Sequence, residues 1–376
     1  MFYEDEMETT ASSSKASPLL GAQRALGAQF AEAFGWMMAR DFGDPRAEAQ
    51  AVRQRAGLSD LSYYGVLKVS GGEAVQFLNG LVSNDVKTLA EQQGVRAAFL
   101  TGHGKVRGLC RILRRQEDFL IINDPQTHEK ILKYIFPFSY AGDFRVEDVS
   151  EQFRSLSLQG PKATAVLKEI SFEPIPALAE YAWAETMIGG HHSLVLRTSH
   201  TGETGFDILV PDSGVQDLWD FMLLKGAFHG LVPVGLDALN LLRIEAGIPI
   251  YGIDVDEANM LLELGLADAV SFTKGCYTGQ EAVAMATYRG HISKKLSGLL
   301  LEGERIPVVG SKVSKDGKDV GHVTSATRSV SQGQVIALAY IKYGFFDAGN
   351  EVEVADDAGA MSGRVTELPF YQNLGG

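Results

Sequence analysis

Apolar and polar residues follow helical spacing in some stretches of the chain and strict alternation in others. Helical spacing first appears in an apolar set formed by Leu26, Phe30, Phe34 and Met37. This set predicts an amphipathic helix, and a second helix is predicted from Ala47 to Arg55. From Tyr64 onward, segments with strand-like alternation are followed by segments with helical spacing, and glycine-containing turns separate them.

The central part of the chain is predicted to mix strands with helices. Strands are predicted at residues 64–69, 95–100, 108–113, 119–123, 154–158 and 192–199. Helices are predicted at residues 74–81, 127–136, 161–170, 216–226 and 236–246. No fixed-period repeat is visible, which disfavours a solenoid or a propeller. The pattern predicts an α+β fold.

From about Leu296 the pattern changes to short alternating stretches punctuated by glycine. Strands at such close intervals predict a small antiparallel β-barrel. We therefore expect a disordered tail at residues 1–17 and a β-barrel domain at residues 295–376. The residues between them, 18–294, are predicted to form two α+β subdomains with a boundary near residue 150.

Composition narrows the class of protein. The chain has 376 residues and a net charge of −13, which disfavours binding to nucleic acid. No apolar run approaches the roughly 18 residues of a membrane-spanning helix, and the acidic first residues do not resemble a secretory signal. The sequence therefore predicts a cytoplasmic protein, monomeric or weakly oligomeric, with no membrane partner.

The sequence does not contain the residue patterns of several common kinds of functional site. The two cysteines do not make a disulfide framework, and the eight histidines show no metal-binding spacing, so no metal site is predicted. The sequence contains neither a glycine-rich phosphate loop followed by Lys-Ser or Lys-Thr nor a nucleophile-elbow serine. Common nucleotide-binding and hydrolase functions therefore lose support.

One cysteine occupies an unusual position. Cys276 lies between Gly275 and Gly279 in the segment Lys274–Glu281, where the glycines allow a loop that exposes the thiol. Lys274, two residues away, would favour the thiolate. The alternative is a tight turn before a helix, with Cys276 filling a small apolar gap. The residues alone leave both interpretations open.

Three further charged residues are candidates for ligand binding. Glu203 follows an apolar strand in a glycine-flanked turn, where it would either accept paired N–H hydrogen bonds from a ligand or be solvated. Arg243 lies in an apolar helix with Glu245, so these two charges either form a buried ion pair or face a cavity. Asp85 is either a turn residue or a site residue.

Segments along almost the whole chain resemble the glycine-cleavage T-protein superfamily of aminomethyltransferases and their YgfZ-like relatives. The matching stretches are Gly57–Ser62, Leu81–Val86, Leu158–Ala163, Thr201–Phe206, Arg243–Gly252, His322–Ser325 and Ile336–Tyr340. The resemblance implies domains arranged around a central folate channel, with tetrahydrofolate or a one-carbon derivative as cofactor. It implies that Glu203 binds the pterin and that Arg243 lines the channel or organises ion pairs.

One departure bears on the subfamily. T-proteins carry an aspartate after a Gly-Gly-containing turn, whereas the matching positions here are Gly108 and Leu109. Without that carboxylate, proton handling during aminomethyl transfer loses its expected group. In contrast, Lys274–Glu281 resembles the signature of YgfZ-type proteins, which implies roles for Cys276 as a functional thiol, for Lys274 beside it, and for Tyr277 near the cofactor.

The leading hypothesis from the sequence is a YgfZ-like tetrahydrofolate-binding protein that assists the assembly or repair of iron–sulfur client proteins. The alternative is a folate-dependent aminomethyl- or methyltransferase with a relocated catalytic acid, for which Asp85 is the first candidate. A third hypothesis is a folate-binding module without turnover. Whether the protein is an enzyme is therefore left open by the sequence.

Overall fold

The protein is described by a computed structural model that covers residues 14–288 and 292–373. The strands are β1 (Lys15–Ala16), β2 (Gln29–Ala33), β3 (Trp36–Asp41), β4 (Ala56–Asp60), β5 (Gly65–Ser70), β6 (Gly94–Leu100), β7 (Val106–Arg114), β8 (Asp118–Asn123), β9 (Arg145–Asp148), β10 (Phe153–Gln159), β11 (Trp183–Ile188), β12 (His191–Arg197), β13 (Gly205–Pro211), β14 (Leu231–Pro233), β15 (Lys294–Leu301), β16 (Lys312–Lys315), β17 (Lys318–Arg328), β18 (Val335–Lys342), β19 (Glu351–Asp356) and β20 (Gly359–Thr366). The helices are α1 (Leu20–Ala25), α2 (Pro45–Gln54), α3 (Ala74–Leu81), α4 (His128–Ile135), α5 (Ala163–Ile170), α6 (Val215–Gly226), α7 (Leu236–Glu245) and α8 (Gln280–Tyr288). The α+β prediction is confirmed.

The helix predicted from Leu26 to Met37 is wrong. This segment forms the antiparallel hairpin β2–β3, which turns at Phe34 and Gly35, both with positive φ. Two consecutive residues in the left-handed region form the tight turn that joins hairpin strands, so the apolar residues that mimic helical spacing belong to two paired strands.

The predicted tail ends earlier than Ser17. Residues 1–13 lie outside the described residues, but β1 pairs in parallel with β3. The Ser17 hydroxyl donates a hydrogen bond to the buried carboxylate of Asp60. The last residues of the predicted tail therefore belong to the fold.

A five-stranded antiparallel sheet, in the order β6-β7-β8-β5-β9, contains residues 65–148. Helices α3 and α4 cover one of its faces, since Leu78 and Ile131 share a core with Leu67, Phe99 and Ile121.

A six-stranded sheet, in the order β11-β12-β13-β10-β4-β14, forms the second layer. Its core joins Leu58 of β4 and Ile208 of β13 to Trp219 of α6. Because β4 pairs with β10, residues before about 61 join the subdomain that follows residue 150. Residue 150 thus lies between the last strand of the five-stranded sheet and β10 of the six-stranded sheet, but β4, which precedes both, also belongs to the six-stranded sheet.

The strands β15 to β20 close into a six-stranded barrel, which confirms the predicted C-terminal barrel. Helix α7 packs on it, since Ile244 shares a core cluster with Leu296, Ile336 and Leu338. Within residues 14–288 and 292–373, no helix has both the length and the apolar character needed to span a membrane.

Candidate functional site

A cavity of about 340 Å³ lies where the N-terminal hairpin, the two sheets and α7 meet. Its lining includes Phe34 of the hairpin, Tyr63 and Tyr64 between β4 and β5, Leu109 and Arg111 of β7, Asp124 after β8, His200 after β12, and Arg243 and Tyr251 from α7 and the loop that follows it. Because these residues come from several elements that are far apart in the sequence, the cavity forms only in the assembled fold.

Two side chains of the cavity wall, Arg111 and His200, form a connected group with Asp207. Nη2 of Arg111 lies 3.5 Å from Nδ1 of His200, and Nε2 of His200 lies 2.9 Å from the Asp207 carboxylate. Burial alone would raise the pKa of Asp207, but the His200 and Arg111 charges and a hydrogen bond from Ser157 lower it overall. Asp207 is therefore a carboxylate that orients His200.

Asp124 differs from Asp207 because it has no fixed partner. It lines the cavity directly after β8, and its carboxylate has no hydrogen bond or ion pair among the residues that the structure describes. Burial raises its pKa, and the charges of Arg111, His200 and Arg96 oppose that rise. The result is a free carboxylate beside cationic groups, an arrangement suited to binding an N–H group or moving a proton.

Aromatic rings form one wall of the cavity. The ring of Phe34 stacks on Tyr63 with centroids 5.2 Å apart, and Tyr63 lies 5.2 Å from Tyr64. Tyr64 in turn lies 6.2 Å from the His200 ring. This aromatic wall, Phe34–Tyr63–Tyr64–His200, offers ring surfaces that end at polar groups, an arrangement suited to planar heteroaromatic ligands.

The structure also places the two positions where the resemblance leads one to expect an aspartate. Leu109 lines the cavity, whereas Gly108 faces α4. A side chain at Gly108 would meet Ile131 at 2.7 Å and Thr127 at 2.9 Å. An aspartate at position 109 could therefore reach the cavity, but one at position 108 could not. In this chain position 109 is a leucine, so this carboxylate is missing.

Glu203 lies outside the cavity lining. It is fully buried, and its Oε1 lies 3.2 Å from Nη1 of Arg53. Burial raises its pKa, while hydrogen bonds from Tyr371 and Asn373 and the charge of Arg53 oppose the rise. Its predicted role in binding the pterin stays a prediction, and the geometry gives it a role in a buried ion pair.

Arg53 links several parts of the fold. Its guanidinium also binds Glu245 at 2.6 Å and lies 3.9 Å from the centre of the Tyr371 ring. Glu245 in turn accepts hydrogen bonds from Ser331 of the barrel. This buried network joins α2, α7, the barrel and the C-terminal segment.

Arg243 lies on the cavity wall, and its role toward a cofactor stays a prediction. It lines the cavity, and its guanidinium pairs with the buried Asp254 and donates to Ser325 Oγ at 2.7 Å. Asp254 also accepts a hydrogen bond from Thr324. Arg243 therefore ties the cavity wall to the barrel, and its charge is already matched by Asp254.

The predicted thiol lies outside the cavity lining. Cys276 is an exposed free cysteine that does not line the cavity, and its loop is fixed by Lys274. The buried Lys274 ammonium donates to the carbonyl oxygens of Asn79, Val82 and Asn84 at 2.6 to 2.9 Å. Burial lowers the pKa of Lys274 to about 8. Lys274 thus clamps the loop to the end of α3.

The remaining two predicted residues also lie outside the cavity. Tyr277 is buried in the core with Leu261 and Val283, below the Lys274 ammonium. Asp85 accepts a hydrogen bond from the Lys87 amide at 2.9 Å, as turn aspartates do. The structure therefore brings together Lys274, Cys276 and Tyr277 in one loop, but it separates them from Arg243. In the part of the chain that is described, no group of three metal-binding side chains occurs.

Comparison with known families accounts for nearly the whole chain. The GCVT N-terminal domain matches residues 19–274, and the glycine cleavage T-protein C-terminal barrel domain matches residues 294–372. The chain belongs to the glycine cleavage T-protein family. This confirms the superfamily that the sequence stretches indicate, together with its α+β fold and barrel.

Individual members of the glycine cleavage T-protein family match at full length. Proteins named aminomethyltransferase from Moorella thermoacetica and Rubrobacter xylanophilus are 33% and 35% identical, each over 95% of this chain and over 98% and 94% of their own. A third with that name, from Bacillus subtilis, is 31% identical over 95% of this chain and 99% of its own. None of these names is YgfZ-like.

A solved structure supports the fold. The crystal structure of glycine cleavage system aminomethyltransferase T from Bartonella henselae matches with a TM-score of 0.89 and 24% identity, covering 96% of this chain and 99% of that one. At this identity the match speaks for the fold of a T-protein and leaves the chemistry to the residues of this chain.

The charged residues of this cavity are not brought together by any pattern in the sequence. Asp124, Arg111 and His200 line it, and Asp207 lies behind His200. One signal for Asp124 was available, because it directly follows the apolar strand β8, where strand-end side chains gather at one edge of a sheet. No sequence signal linked Arg111 to His200, since they meet only through the packing of two sheets.

Proposed function

We propose that this protein is a tetrahydrofolate-dependent one-carbon transferase of the aminomethyltransferase type, with Asp124 as its acid–base residue. The observation that carries the proposal is the unpaired Asp124 carboxylate beside Arg111 in a cavity with an aromatic wall. The names of the full-length relatives support the same reaction class.

Tetrahydrofolate fits the groups that line the cavity. Its reduced pterin carries N–H donors, and Asp124 is an acceptor whose hydrogen-bonding capacity is unused by the described residues. The Arg111 guanidinium supplies donors for a carbonyl oxygen. Tyr63 and Tyr64 offer ring surfaces for stacking.

Tetrahydrofolate supplies a ring nitrogen that takes up the one-carbon unit. Asp124 would accept a hydrogen bond from an N–H at that position and take the proton as the nitrogen forms its bond to the one-carbon unit. At the same time the bond between that carbon and the donor's leaving group breaks, and the leaving group departs with the bonding electrons. Burial raises the pKa of Asp124, which makes it a better base than an ordinary aspartate, and the charges of Arg111, His200 and Arg96 oppose that rise. Asp124 thereby takes the place of the carboxylate missing at Leu109. Asp85 does not take this role, because it lies in a turn outside the cavity lining.

The proposal is tested by calorimetric titration of the protein with tetrahydrofolate, followed by incubation with aminomethyl or methyl donors. We expect saturable binding at one site and repeated formation of a one-carbon folate. Binding without turnover would favour the binding module, and no binding would contradict the proposal.

A second candidate function is the YgfZ-like support of iron–sulfur protein assembly. The observation that favours it is the exposed Cys276, held outward on a loop that Lys274 clamps to α3. A thiol in this position would meet a partner protein rather than the cavity ligand. Cells that lack the protein and show an iron–sulfur enzyme defect should then be rescued by the wild type but not by Cys276→Ser, and full rescue by the variant would contradict this function.

A further inference from the structure

Phe34 adopts a backbone conformation that side chains of its kind avoid. Its φ is +56°, and Gly35 follows with +75° in a two-residue turn between paired Ala33 and Trp36. Turns of this type favour Asn followed by Gly, because Asn tolerates the left-handed region and Phe does not. Gly35 conforms to this preference, and Phe34 breaks it.

The turn places the Phe34 ring where it contributes to the cavity. Phe34 is half-buried, lines the cavity and stacks on Tyr63 with an angle of 20° between the rings. Strained residues cluster at sites where the strain serves binding. A turn chosen only for stability would carry Asn at this position, so the ring itself is the feature that the turn provides.

The position of Phe34 along the aromatic wall indicates what it contacts. His200, Arg111 and Asp124 stand at the other end of the wall, beyond Tyr63 and Tyr64. A pterin needs those polar groups for its N–H and carbonyl edges. Phe34 is therefore left to face an aromatic ring of the same ligand that carries fewer polar edges.

We propose that Phe34 is a specificity-determining residue that stacks on the aminobenzoyl ring of the folate ligand, and that its strained conformation is kept for this contact. The proposal rests on the proposed function, because it takes folate as the cavity ligand. It adds a recognition element in the N-terminal hairpin that the polar residues of the cavity do not supply.

Three variants separate the ring from the turn. Phe34→Asn gives the turn its preferred residue and removes the ring, whereas Phe34→Tyr retains the ring. Phe34→Ala also removes the ring but, unlike Asn, does not suit the left-handed region. Without ligand, we therefore expect Phe34→Asn to unfold at a higher temperature than Phe34→Ala. An equal or lower unfolding temperature would overturn the claim that the conformation is strained.

Calorimetric titrations with p-aminobenzoylglutamate and with pterin, as separate ligands, test the contact. We expect Phe34→Asn to weaken binding of p-aminobenzoylglutamate about fivefold to tenfold, the size of one aromatic contact, with pterin binding unchanged. Phe34→Tyr should bind both like the wild type. Equal losses for both ligands, no loss for p-aminobenzoylglutamate, or no wild-type binding of it would overturn the assignment.

These outcomes are distinct from those that test the proposed function. If the wild type binds both fragments, shows the expected Phe34→Asn effect and yet transfers no one-carbon unit, the transferase is contradicted and the Phe34 contact stands. If transfer occurs and Phe34→Asn binds p-aminobenzoylglutamate normally, only the Phe34 contact is contradicted.

Discussion

Glu203 and Arg53 form an ion pair that is fully enclosed by protein, with Oε1 and Nη1 3.2 Å apart and less than a tenth of either side chain exposed. The carboxylate that the family resemblance connects with the pterin therefore already has a cationic partner. A buried charge needs such a partner, because water is not available to solvate it.

The Glu203→Gln variant should lower the free energy of unfolding by about 2 kcal/mol, since it removes one charged hydrogen bond. The ion pair between Arg53 and Glu245 is retained. Affinity for tetrahydrofolate should stay near that of the wild type. Denaturant unfolding and calorimetry measure the two quantities, with the exposed Glu91→Gln as control. A large loss of affinity at unchanged stability would instead support the pterin-binding role.

The Lys274→Met variant should loosen the loop that carries Cys276. It leaves three carbonyl oxygens at the end of α3 without their ammonium donor, which costs about 1–3 kcal/mol. Hydrogen–deuterium exchange should then speed up at Thr278, whose amide donates to Gly80. The exposed Lys87→Met serves as control, and unchanged exchange at Thr278 would show that the clamp is not needed.

The general fold was accessible from the sequence because most elements have one apolar face with a clear period. The hairpin at Phe34 was not, since apolar residues of two short strands fell by chance at helical spacing. Residues brought together by distant packing were also inaccessible. Asp124 and His200 line the same cavity although they follow strands of separate sheets, whereas Glu203, a candidate from the sequence, lies outside the cavity lining and pairs with Arg53.

The two cysteines should react at very different rates with a thiol reagent such as 5,5′-dithiobis(2-nitrobenzoate). Cys276 is exposed and should be labelled in the folded protein. Cys110 is buried, and burial raises its pKa, so it should react only after unfolding. The Cys276→Ser variant should show no fast phase. A fast phase that persists in this variant would mean that the cavity wall around Cys110 opens readily.

The rate of tetrahydrofolate-dependent one-carbon transfer, measured against pH for the wild type, Asp124→Asn and Asp85→Asn, tests the central claim most directly. Asp124→Asn should reduce the rate about 100-fold or more, while Asp85→Asn, a turn residue outside the cavity, should keep it. Because the base must be ionised, the wild-type rate should fall with decreasing pH, through a pKa above the ordinary 3.8 of aspartate. A rate and pH profile that survive in Asp124→Asn would contradict Asp124 as the acid–base residue.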